Sequence, residues 1–242
     1  MHAVTLLGAA PVLPAAADGP ACYSATVNEW WCAQYVVDRR DEIWEATSQH
    51  LAITLAALLL GLVLAFPLSL LARRFPRSEA LVLGGSTAVY TIPSLALLPL
   101  LVPFTGLSAA TVVVGLGLYA LTVLVRAMLD GFRSVPADAV EAARGLGYGP
   151  TRLLMTVELP LAVPVVMAGL RVAAVSTVAL TTIGTLVAHG GLGNLIAHGV
   201  QRDFRAELVT AAVLCVLLAL LLDVVVVLAQ RLLTPWTRTR TA

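Results

Sequence analysis

Long apolar runs separated by short polar intervals set the pattern of this chain. Runs at 51–72, 80–104, 107–125 and 208–229 contain hardly a charge. Each matches the roughly 20 apolar residues that an α-helix needs to cross a bilayer. A fifth run, 161–188, is long enough but carries Arg171. The opening MHAVTLLGAAPVLPAAA is shorter, is broken by Pro11 and Pro14, and has no basic residues ahead of it. It reads as a poor signal peptide or a frayed tail rather than a span. The pattern predicts an all-α integral membrane protein with about five transmembrane helices, or six if the opening stretch also crosses. Residues 1–50 form a polar N-terminal segment, 51–236 the membrane domain with an intervening polar loop at 128–160, and 237–242 a tail.

Composition sharpens this. Hydrophobic residues make up 59% of the 242 positions and charged residues 12%, about half the charged share of an ordinary soluble domain. A soluble fold of this size has no core large enough to hide them. The net charge of +1 gives no general attraction to nucleic acid. Every basic residue is arginine, since the sequence contains no lysine. That excludes a phosphate-cradling G-x-x-x-x-G-K-[ST] loop and a Schiff-base lysine. The arginines also orient the chain: ten fall on the side holding the 73–77, 126–152 and C-terminal segments, and four on the other. The positive-inside rule places the N-terminus outside and the C-terminus in the cytoplasm.

On the cytoplasmic side lies the polar stretch DAVEAARGLGYGPTRLLMTVELP, 138–160. Pro136 and Asp138 suit a helix start. Asp138, Glu141 and Arg144 share a face, with Glu141 and Arg144 spaced to pair. Val140, Ala143 and Gly147 form a small-residue face opposite. Gly147, Gly149 and Pro150 end this helix, and a second runs from about Thr151 until Leu159-Pro160 breaks it at the membrane. On spacing alone this is equally an amphipathic loop on the membrane surface.

The motif Glu141-Ala142-Ala143, then Gly147, then Val157-Glu158-Leu159-Pro160 closely resembles the EAA loop of ABC importer permeases, with valine where the family prefers isoleucine. The resemblance implies that Glu141, Ala142, Ala143, Gly147, Leu159 and Pro160 couple the chain to a separate pair of ATP-binding cassette subunits. ATP and Mg would be bound there, with no cofactor in this chain. YTIPSLALLPLLVP (90–103) and GTLVAHGGLGNLIAHGVQRDF (184–204) are similar to segments of permeases for glycine betaine, choline, carnitine and related osmoprotectants. In all, the likeness covers about 50–236 and leaves out the N-terminal segment with Trp30 and Trp31. It implies a type I importer permease in a bacterial cytoplasmic membrane, a second copy or sister permease, and an extracellular solute-binding protein. Another small solute, such as an amino acid, remains the alternative substrate.

Several residues invite chemistry. Tyr90, Thr91, Pro93 and Ser94 offer polar groups within a span, for a translocation path or for a kink. Aromatic residues are 6% of the chain, too few for a tight cation–π cage, and Tyr90 and Tyr119 read better as interfacial anchors. Arg171 and Asp223 fall roughly 12–15 Å deep at 1.5 Å per residue, close enough in level to pair. A structural pair is favoured over a proton relay. Cys22 and Cys32 bridge if their segment faces an oxidising space, a matter that spacing does not decide, while Cys215 reads as a small buried residue. His189 and His198 lack a third ligand, so no metal site is expected. A secondary transporter would show inverted repeats, which the sequence lacks. An intramembrane enzyme would need an acid–base or nucleophile set, also lacking.

Overall fold

The computed structural model describes residues 21–236. The opening apolar stretch and the 237–242 tail lie outside the described residues. Among those described, every regular element is helical.

The first span belongs to a helix much longer than its apolar run. After the short α1 (Ala33–Asp38), α2 extends over Arg40–Arg74. Asp41 and Glu42 in its first turn and Arg73 and Arg74 in its last complement the helix dipole at both ends. The helix can therefore start ahead of residue 51, on polar sequence.

The second apolar run is not one straight rod. It forms α3 (Pro76–Thr91) and α4 (Ser94–Thr105), bent 99° to one another. Pro93 has no N–H and drives Ile92 out of the helical region, to φ −68° and ψ 125°. The third run, α5 (Ala109–Arg133), is the most enclosed of the long helices and packs between α2 and α8 (Leu159–Thr181). Small residues permit that closeness. A Cβ on Gly61 of α2 would come within 2.9 Å of the Ala120 Cβ, and one on Gly169 of α8 within 2.1 Å of the Ala127 Cβ. Where lipid tails are as apolar as leucine, such backbone approach is what holds helices together.

The helix expected to break at Pro160 does not. α6 (Ala137–Gly145) and a turn lead into α7 (Pro150–Leu153), a π-helical segment (Leu154–Glu158), α8, and a 3₁₀ segment (Thr182–Val187) without interruption. The wider π turn just ahead of Pro160 relieves the ring's clash with the preceding carbonyls and absorbs the missing N–H. The chain then turns into α9 (Leu192–Gln201) and α10 (Arg205–Leu233). α10 is the least enclosed long helix. Val216, Leu217, Leu220 and Leu221 lie exposed on it, as a lipid-facing surface requires.

The two ends of the bundle differ in character. At one end Arg73 pairs with Glu158, and Arg133 pairs with Glu79. At the other, the N-terminal segment folds into a cap closed by a Cys22–Cys32 disulfide, with Cα atoms 5.8 Å apart. Tyr23 and Tyr35 pack on Phe204 from the α9–α10 turn. Asn28 donates to the Asp203 carbonyl at 2.5 Å, and its own side-chain oxygen accepts the Arg205 N–H at 3.0 Å. The Tyr23 hydroxyl donates to Asp38 at 2.8 Å, and this bond holds the phenol above its ordinary pKa.

Candidate functional site

The 137–160 hairpin is closed by its own backbone. The Gly147 N–H donates to the Arg144 carbonyl and the Tyr148 N–H to the Ala143 carbonyl. Gly147 sits at φ 79°, the left-handed residue that ends a helix in this double-bonded cap. Gly147 therefore belongs to the turn and not to a packed face, for nothing lies within 4 Å of where its Cβ would be. Ala143 is buried against the hairpin, whereas Glu141 and Ala142 are exposed. Glu141 and Arg144 do not form the ion pair that their spacing allowed; among the described residues Arg144 has no carboxylate within 4 Å and instead lines a cavity beside α2.

Three residues without an expected role add to this hairpin, two on its outer side and one on its inner side. Leu146 and Met155 are 77% and 58% exposed, large apolar side chains on an otherwise polar elbow. Leu146, held between two glycines, was visible as an anomaly of the pattern. Glu158 ends the π segment, is 5% exposed, and forms an ion pair with Arg73. Arg73 also lies over the Phe132 ring, 5.2 Å from its centre. The hairpin is thus tied through one buried carboxylate to α2, and through Phe132 to the end of α5. Leu159 and Pro160 follow directly as the first residues of α8.

Tyr90, Thr91, Pro93 and Ser94 gather at the α3–α4 bend. Tyr90 is 52% exposed, and the Thr91 hydroxyl donates to the Ala88 carbonyl at 2.7 Å. Tyr119 is not an interfacial anchor. It is buried, sits edge-on to Tyr90 at 5.4 Å, and donates its hydroxyl to the Ile92 carbonyl. The bend exposes that carbonyl, so a buried acceptor would otherwise lack a donor.

Arg171 on α8 and Asp223 on α10 meet as a bidentate pair, Nε to Oδ1 at 2.7 Å and Nη2 to Oδ2 at 2.9 Å. Their side chains remain 42% and 26% exposed, along an open groove that Val172, Val175 and Ser176 also line. Among the described residues no group of three potential metal ligands occurs. His189 bonds the Val187 carbonyl at 2.7 Å, and His198 reaches Glu207 at 2.8 Å.

A further histidine, not singled out from the sequence, holds the far end. His50 is fully buried, with Nε2 3.0 Å from the Val178 carbonyl and Nδ1 3.2 Å from that of Gly190. Gly191, at φ 56°, lies so close that a Cβ there would fall within 2.6 Å of the His50 Cβ.

These features define a multi-pass membrane component built from close-packed helices, with a polar hairpin at one end. The chain belongs to the family described as binding-protein-dependent transport system inner membrane component, whose model matches residues 45–239. It is therefore a multi-pass inner-membrane transport subunit. The choline transport system permease protein OpuBB of Bacillus subtilis is 31% identical over 202 residues, covering 84% of this chain and 93% of that protein. The carnitine transport permease protein OpuCB of Listeria monocytogenes is 34% identical over 190 residues, covering 78% and 87%. In fold, the chain resembles the MetNI methionine ABC transporter in its inward-facing conformation. The TM-score is 0.72 at 22% identity, over 81% of this chain and 98% of that one.

Proposed function

We propose that this chain is the membrane subunit of an ATP-driven importer of small quaternary-ammonium solutes of the choline, carnitine and glycine betaine class. The observation that carries the coupling half of this reading is the exposed elbow. Glu141, Ala142, Leu146 and Met155 face outward from a hairpin whose inner side is tied to α2 by Glu158 and Arg73. A separate ATPase would grip that outer face, and the continuous rod from Pro150 to Val187 would carry the displacement into the membrane. The relatives' names support the substrate class.

The partly exposed pair of Arg171 and Asp223 supports a second permease chain. An ion pair open to hydrocarbon is costly, so the groove it lines is covered by a second copy or a sister chain. Tyr90, Thr91, Pro93 and Ser94 would then form part of the transit surface at the bend. With a single exposed ring there, selection falls to a separate binding protein, and the path itself binds weakly.

Uptake of radiolabelled choline, carnitine and glycine betaine into proteoliposomes tests this reading, using the chain reconstituted with its ATPase and binding protein. Uptake that requires ATP hydrolysis and is competed within this solute class is expected. Uptake that persists without ATP, or that is confined to sugars or metal ions, overturns it.

A further inference from the structure

Beside the hairpin, α2 and the 144–154 segment border an open cavity of about 810 Å³. Its lining combines Arg73, Arg74 and Arg144 with the apolar Leu70, Leu153 and Leu154. Of the three guanidinium groups, only that of Arg73 has a carboxylate partner, the buried Glu158. Among the described residues no carboxylate lies within 4 Å of Arg74 or Arg144, and Arg74 otherwise rests near the Phe75 ring.

Two arginines without a carboxylate partner, Arg74 and Arg144, thus share one cavity with apolar side chains. A free anion would satisfy the arginines and leave the leucines wet. An amphiphilic anion satisfies both. The cavity also lies where the first span ends at Arg74 and the α7–α8 rod begins at Pro150, at the level of phospholipid phosphates. We propose that this cavity is a binding site for an anionic phospholipid. The phosphate is held by Arg74 and Arg144, with Arg73 beside it, and the acyl chains run along Leu70 and Leu154. Because Arg74 stands on α2 and Arg144 on the hairpin, the bound lipid braces one against the other. The proposal is independent of which solute is carried.

The test is native mass spectrometry of the full-length chain in its purified complex, supplied with equal amounts of phosphatidylglycerol and phosphatidylcholine. Phosphatidylglycerol is retained in preference, and Arg74→Gln lowers that retention about fivefold, as expected for losing one arginine–phosphate attraction. Arg77→Gln, at the same end but outside the cavity lining, leaves it unchanged. Arg74→Lys keeps the charge and most of the retention, and serves where the glutamine variant does not assemble. Millimolar inorganic phosphate fails to displace the lipid. Equal retention of the two lipids overturns the proposal, as does equal loss in the Arg74 and Arg77 variants. Displacement by inorganic phosphate would assign the site to a free anion. Loss of the ATPase from the Arg74→Gln complex with lipid retention intact would assign it to a protein contact.

Discussion

Arg171 and Asp223 meet side-on, two donors against two acceptors, the geometry in which guanidinium and carboxylate bind best. Nothing else in the structure suggests proton movement there, because among the described residues no further carboxylate is paired with either group. A holding role is the simpler chemistry. Asp223→Asn should lower the melting temperature of the solubilised complex while leaving uptake per assembled complex nearly unchanged. The double variant Arg171→Met/Asp223→Leu should recover the lost stability, since replacing a whole pair costs less than stranding one charge. Abolished transport in a normally assembled Asp223→Asn complex would instead make the pair part of the transport step. His50 makes a second case at this scale. A neutral imidazole donates only once, yet both of its nitrogens face carbonyl oxygens. His50→Ala should cost about 2 kcal/mol, the order expected when a buried polar contact is lost. Thermal melting reads this directly.

At the scale of elements, the hairpin turn makes the sharpest prediction. Gly147 at φ 79° tolerates a side chain only with strain, about 1–2 kcal/mol for a residue with a Cβ. Gly147→Val should therefore loosen the elbow and reduce ATP-driven uptake, while the spans assemble as before. Co-purification of the ATPase, measured beside uptake, tells weakened docking from weakened transmission. What the sequence could reveal about elements followed from the kind of signal each leaves. Apolar length marked the runs that become α2, α5, α8 and α10, and punctuation by glycine and proline marked the hairpin turn. The polar start of α2 was missed because it has no apolar periodicity of its own. The π segment was missed because a shift in hydrogen-bond register leaves no trace in composition, and for that reason Pro160 was read as a breaker. Tyr119 was misread because its partner is a backbone carbonyl freed by a proline in another helix, a long-range need that no local pattern encodes. Glu158 stood in plain view within the quoted motif, but its burial depends on Arg73, which is far away in sequence.

For the whole molecule, the distribution of arginines makes an orientation testable. The hairpin, the α2–α3 corner and the α10 C-terminus share one end, and the disulfide-closed cap lies at the other. Single introduced thiols, at Arg77→Cys and Gln201→Cys, should respond differently to a membrane-impermeant maleimide in cells with an intact cytoplasmic membrane. Gln201→Cys should label from outside, and Arg77→Cys only after lysis. Reversed labelling would turn the hairpin outward and remove the proposed grip of an ATPase.

The cap carries a consequence for how the chain is made. Asn28 finds its partners at Asp203 and Arg205, more than 170 positions later, and the Tyr23–Tyr35 cluster closes on Phe204. Residues 21–38 must therefore wait, unfinished, until α2, α3, α4, α5, α8 and α9 have all been made. Closure of the cap thus becomes possible only at the start of α10, with one span of the described chain still to be laid into the bilayer.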